Sequence, residues 1–292
     1  MLRVSGDGES VVSLSKDEYA NYSLGVQCEA DDNSDFSRYR EIGCLVSACR
    51  RVVQDGIFTD DEVGALKAIA QKGMDTRSSL GGPTILDINS GNLRDTAGLT
   101  NLFDDINNFT YTSEEFSVYG DIIRKLKSTL QETFEVQNLL FTAPTFITRL
   151  EGTPGWQPNE IHDEYWHPHV DRDNTQHYHY SGLLYLSTYE EDFLGGKLNF
   201  LSTDSIGKEP KKVMEVEPKA GRVVMFTSGK ENYHHVERVT SGARFVLAFW
   251  FTCDTTREME IFLDGNAHTT FSNRVRLALR SKRYQEQGQH EL

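Results

Sequence analysis

The chain has 292 residues, 38% hydrophobic and 25% charged, which suits a globular protein with a core of its own and excludes a fibrous or disordered one. Thirty basic against 44 acidic residues give a formal charge of −14, which repels phosphate backbones and argues against a nucleic-acid substrate. No apolar run approaches the roughly 20 residues that span a bilayer, and the N-terminal stretch has no signal-peptide core, so the sequence reads as soluble.

Residues 1–55 are polar and are expected to be irregular, with Cys28, Cys44 and Cys49 near their end and Cys253 far away. None of these forms a CxxC pair, which disfavours a zinc knuckle, and spacing does not choose among the three complete pairings that four cysteines allow. Asn21 and Asn108 head Asn-X-Ser/Thr sequons, which matter only in a secretory compartment. Residues 56–142 are expected to supply supporting helices. Thr59 and Glu62 form a capping box, Val63, Leu66 and Ile69 make an apolar stripe, and Gly73 is a candidate stop. A second capping box, Thr112 with Glu115, opens a longer helix carrying Phe116, Tyr119, Ile122, Ile123, Leu126 and Leu130 on one face.

From 143 to 255 the pattern changes to strands. Residues 144–150, 181–187, 197–200, 222–226 and 244–252 are β-branched and aromatic segments separated by turn residues such as Gly195-Gly196 and Gly221. Short strands at this spacing, without strand–helix alternation, predict an α+β, mainly β protein with an antiparallel sandwich or barrel and not a Rossmann fold. Residues 256–292 are expected to end in a basic helix.

Seven of the nine histidines fall between positions 162 and 235. Most are ordinary structural or surface candidates, and His177 with His179 is expected to be a surface pair. His169 and Asp171 differ, because a spacing of two puts both side chains on one face of a strand. With a distal histidine they make the two-imidazole, one-carboxylate set typical of non-haem Fe(II) oxygenases, a set that leaves positions open for co-substrate and oxygen. The distal partner is His234 or His235, and the spacing to Val236, Val239, Gly242 and Arg244 favours His234. Arg244 opens an apolar strand; buried there, it needs an anion, and a carboxylate suits its forked donors. Tyr185 stands where its hydroxyl could join that carboxylate. Trp156, Tyr165 and Trp166 could wall a peptide groove or simply pack.

At these residues the chain resembles the prolyl 4-hydroxylase-like branch of the 2-oxoglutarate/Fe(II)-dependent dioxygenases. The resemblance runs from about Cys28 to Asp254 and rests on ILDINSG (85–91), PTFITRL (144–150), HDEYWHPHVD (162–171), SGLLYLSTYEEDFLGGKLNF (181–200) and residues 217–245. It implies a double-stranded β-helix (jelly-roll, cupin-like), with Fe(II) on His169, Asp171 and His234. It implies 2-oxoglutarate held by Arg244 with help from Tyr185, use of O2 and ascorbate, and a protein or peptide substrate, peptidyl proline above all. Asp171, where a small residue would admit halide, implies hydroxylation. Relatives carry an N-terminal membrane anchor and face the secretory lumen, where the cysteines would form disulfides. One departure is Arg238, at a position where most prolyl hydroxylase relatives have proline. The rival readings are a cupin-like Zn or Mn enzyme that ignores 2-oxoglutarate, and a catalytically silent binding module.

Overall fold

The computed structural model describes residues 2–4, 10–28, 34–46, 48–104, 107, 109–142, 145–159, 163–202 and 210–258. The Asn108 sequon, His162 and the expected C-terminal helix lie outside the described residues. Sixteen strands are described: β1 Leu2–Val4, β2 Ser10–Leu14, β3 Asn21–Val26, β4 Cys49–Gln54, β5 Gly82–Leu86, β6 Asn92–Asp95, β7 Gly98–Asn101, β8 Leu140–Phe141, β9 Phe146–Gly152, β10 Tyr180–Tyr185, β11 Phe193–Gly195, β12 Leu198–Leu201, β13 Lys212–Val216, β14 Val223–Thr227, β15 His234–Val236 and β16 Val239–Thr252. The helices are α1 Ser34–Glu41, α2 Asp60–Met74, α3 Ser113–Phe134 and the one-turn α4 Asp171–Asn174.

The strands form two sheets. The larger runs β3-β4-β14-β10-β16-β9-β5-β6-β7, with β8 and β11 also on β16; the smaller runs β1-β2-β13-β12-β15. All pairings are antiparallel except β2 with β13. The two sheets face one another as the double-stranded β-helix. Alternation along the large sheet divides its side chains between two cores. Val53, Tyr185, Val224, Phe226 and Val246 meet Leu198, Phe200, Met214 and Val216 of the small sheet. Their neighbours Val52, Leu184, Val223, Met225 and Leu247 meet α2 and α3 on the outer side.

Both long helices begin as expected, with reciprocal capping boxes at Thr59/Glu62 and Thr112/Glu115. A cap contributes about 1 kcal/mol, whereas each large apolar side chain that α3 buries contributes roughly 1.5–3 kcal/mol. Packing on the sheet therefore holds the helix, and the cap sets where it starts. Gly73 does not stop α2, which runs to Met74 with Asp75 as its C-cap. A Cβ at Gly73 would collide with the Tyr111 hydroxyl, so glycine serves the close approach there.

Three expectations are corrected. Residues 1–55 are not irregular: they supply β1 to β4, and β4 pairs with β14 inside the large sheet. Residues 56–142 contain strands β5 to β8 as well as helices. Finally, β16 begins at Val239, before Arg244, because Gly242 and its neighbours pair with β11. The cysteines pair as Cys28–Cys49 and Cys44–Cys253. Among the described residues no helix is long and apolar enough to cross a membrane.

Candidate metal and co-substrate site

His234 opens β15 on the small sheet, and an isolated antiparallel bridge joins it to His169 through reciprocal backbone bonds of 2.8 and 3.0 Å. The imidazole centroids stand 4.5 Å apart. Two residues beyond His169 the chain turns into α4, which presents Asp171 as its first residue. The spacing of two thus works through a bridge followed by a helical turn, and not along one continuous strand. His169 Nε2 lies 3.5 Å from Asp171 Oδ1, and one ligand atom from each of His169, Asp171 and His234 falls within a 4.8 Å spread. Among the described residues this is the one His/Cys/Asp/Glu group with such geometry.

The imidazoles are oriented from behind. His169 Nδ1 faces the His167 carbonyl at 2.9 Å, and His234 Nδ1 faces the Asn232 carbonyl at 2.8 Å. A carbonyl only accepts, so Nδ1 carries a proton in each ring, and a neutral ring then has its Nε2 lone pair for the cluster. Burial disfavours the charged form of Asp171, but the hydrogen bond to His169 and the two imidazoles outweigh it and hold the carboxyl at about 2. Burial alone would lower His169, yet its contact with Asp171 raises it. Burial dominates at His234 and pushes it down to about 4, so its ring stays neutral. A carboxylate, a neutral buried imidazole and a second, half-exposed imidazole make a donor set that fits a divalent metal.

Arg244 lies on the interior face of β16, on the same side as Val246, and is 1% exposed. Its guanidinium carbon stands 5.2 Å from the centroid of the Tyr185 ring. Neither Arg244 Nε nor Nη2 has a hydrogen-bond partner, and neither does the Tyr185 hydroxyl, although all three atoms are buried. The arginine and the phenol are coupled electrostatically, but their geometry falls short of a hydrogen bond. Arg222 supplies the contrast. It is equally buried, and its Nε and Nη2 grip the two Asp55 oxygens at 2.8 and 2.9 Å, while Nη1 donates to the Glu217 carbonyl and Nη2 also to the Glu18 carbonyl. The fold satisfies a buried arginine that serves structure, so the orphan donors of Arg244 point to an anionic group bound there. Gly196 makes room for this arrangement: its φ is +67°, and a Cβ would lie 2.9 Å from Arg244 Cδ. In the sequence the Gly195-Gly196 pair carries only the signal of a turn.

The remaining histidines separate. His235 lies opposite Asn199 on the other face of β15, away from the cluster. His167 is exposed and paired with Glu164 at 2.8 Å. The expected surface pair is only half right. His179 is buried, and its Nδ1 accepts from the Cys253 N–H at 3.0 Å. Burial drives its pKa down to about 3. Near the site, Arg238 is exposed, lies 4.9 Å from the Trp166 ring centroid and donates to the Trp156 carbonyl at 2.8 Å. The Tyr165 hydroxyl accepts from the Val239 N–H at 2.9 Å.

Comparison with known proteins agrees with this picture. Residues 156–252 match the family model of the 2OG-Fe(II) oxygenase superfamily. The mouse (Mus musculus) 2-oxoglutarate and iron-dependent oxygenase domain-containing protein 3 is 38% identical over 239 residues, covering 80% of this chain and 72% of that protein. Human (Homo sapiens) prolyl 3-hydroxylase 2 is 42% identical over 82 residues, 28% of this chain and 11% of its own length. A solved 2OG-Fe(II) oxygenase family oxidoreductase from Burkholderia pseudomallei aligns at 14% identity with a TM-score of 0.48, covering 84% of this chain and 96% of that one. The chain belongs to the 2OG-Fe(II) oxygenase superfamily.

Proposed function

We propose that His169, Asp171 and His234 hold Fe(II), and that Arg244, assisted by Tyr185, binds the distal carboxylate of 2-oxoglutarate. The observation that carries this reading is the pair of unpartnered, fully buried Arg244 nitrogens beside the unpartnered Tyr185 hydroxyl. A dicarboxylate would satisfy all three groups, whereas a cupin-like Zn or Mn enzyme has no use for them. When bound, the metal and 2-oxoglutarate supply oxidative chemistry: O2-dependent decarboxylation to succinate and CO2, coupled to hydroxylation of a substrate C–H bond. The chain's own residues do the placing. The His167 and Asn232 carbonyls fix the two imidazole tautomers. Asp171 supplies the anionic ligand, Gly196 leaves space for the Arg244 stem, and the packed sheets keep water from the co-substrate end.

The substrate proposed is a protein side chain, peptidyl proline first, a choice supported by the local similarity to prolyl 3-hydroxylase 2. The two cystines support an oxidising compartment. Anaerobic addition of Fe(II) and then 2-oxoglutarate to the apo-protein should develop the visible charge-transfer band of the chelate. Asp171→Ala should abolish it. Arg244→Ala should weaken 2-oxoglutarate binding by about thirtyfold or more, since breaking a buried charge pair costs at least ~2 kcal/mol. Bound iron with no band would favour the cupin-like enzyme, and no metal binding would leave a binding module.

A further inference from the structure

His234 is oriented by the Asn232 carbonyl, so whatever fixes Asn232 fixes His234. Asn232 belongs to a short 3-10 turn, Lys230–Asn232, between β14 and β15. Two backbone bonds close this turn on itself, from the Asn232 N–H to the Gly229 carbonyl at 2.9 Å and from the Tyr233 N–H to the Lys230 carbonyl at 3.2 Å. Its anchor comes from a strand distant in sequence. Arg51 sits on β4 opposite Phe226 of β14, and its buried side chain enters the space between the sheets. Its Nε donates to Asn232 Oδ1 at 2.7 Å, and its Nη2 donates to the Glu231 carbonyl at 2.7 Å. The same fork therefore grips two consecutive residues of the turn. Asn232 Nδ2 completes the clamp, donating to the Thr227 carbonyl at 2.7 Å and to Thr227 Oγ1 at 2.9 Å. The guanidinium also lies 4.5 Å from the Phe200 ring centroid, and the Phe200 and Phe226 rings flank the His234 imidazole at 5.9 and 5.0 Å.

We infer that Arg51 is a positioning residue for the metal site: through Asn232 it holds the His234 ring so that Nε2 faces His169 and Asp171. Two donors in a planar fork are needed for this, and a lysine ammonium, a single point charge, cannot reproduce them. Partners behind a ligand typically change metal affinity by about 10–100-fold when removed. This inference rests on the reading of His169, Asp171 and His234 as metal ligands.

Charge and position predict opposite results. A cation beside a dication repels it, so if Arg51 acted by charge alone, removing it would tighten metal binding. If it acts by position, removal weakens binding. The experiment is titration with Co(II), followed by its visible d–d absorption, on wild type, Arg51→Gln, Arg51→Lys and His234→Ala. We expect wild type to bind, His234→Ala to lose most affinity, and Arg51→Gln to bind about 10–100-fold more weakly with an altered spectrum. Arg51→Lys should fall between wild type and Arg51→Gln. Circular dichroism in the near and far ultraviolet checks the fold of each, and if Arg51→Gln fails it, Arg51→Lys decides, since retained charge with weakened binding still separates position from charge. Unchanged or tighter binding in a folded Arg51 variant, beside a wild type that binds and a His234→Ala that does not, would overturn this inference alone. A wild type that takes up no Co(II) would overturn the site reading, and this inference with it.

Discussion

Arg222 and Arg244 are the same residue type, both fully buried, in opposite circumstances. The first is bonded to a carboxylate and backbone carbonyls; the second leaves two nitrogens without a partner. Each unmet buried donor costs about 1–3 kcal/mol in the empty protein, and an uncompensated buried charge costs more than a well-packed apolar side chain of similar length. Arg244→Met is therefore expected to raise the unfolding free energy of the metal-free protein by about 1–3 kcal/mol. The metal-loaded wild type is expected to gain melting temperature with 2-oxoglutarate, and Arg244→Met to erase that gain. A metal-free Arg244→Met protein less stable than wild type would mean that the guanidinium is satisfied without a ligand. At this scale the sequence was informative about Arg244, because its offset from His234 and the apolar run behind it can both be read. It said nothing of Arg51, whose partners lie 180 and 181 positions away.

At the level of elements, local signals set the starts of helices better than their ends. Both capping boxes form because Thr and Glu three residues apart satisfy one another's orphan amides without any tertiary contact. Gly73 misled because a packing glycine and a terminating glycine look alike in sequence. The strands of the jelly roll were legible from alternation and turn residues, whereas the N-terminal strands were not. β3 is exposed at every second residue, and the short apolar run of β4 gains its meaning only from pairing with β14. Thr112→Ala should cost about 1 kcal/mol in denaturant unfolding, through loss of the cap. Its Co(II) affinity should equal that of wild type, because α3 packs behind the large sheet and reaches no ligand. A matched loss of metal affinity would tie the site to overall stability, and would weaken the case drawn from Arg51.

Across the molecule, the two cystines close loops of very different size. Cys44–Cys253 joins positions 209 apart and ties the segment after α1 to the end of β16, whereas Cys28–Cys49 spans 21. If restriction of the unfolded chain dominates, the long link contributes about 5 kcal/mol and the short one about 3 kcal/mol. Paired Cys→Ala replacement should therefore lower unfolding free energy more for Cys44/Cys253 than for Cys28/Cys49, and denaturant titration of the two double variants would show the reverse order if that account is wrong. The pairing itself was beyond the sequence, since four cysteines allow three solutions and only the approach of β3 to β4, and of the α1 segment to β16, selects one. The sequence by itself determined what depends on near neighbours and fixed offsets: the helix starts, the alternating strands, the His169/Asp171 spacing and the His234-to-Arg244 interval. Tertiary structure decided which cysteines pair, which buried arginine lacks a partner, and which distant strand steadies the turn before His234. Those outcomes depend on contacts between residues far apart in the chain, which no local pattern encodes.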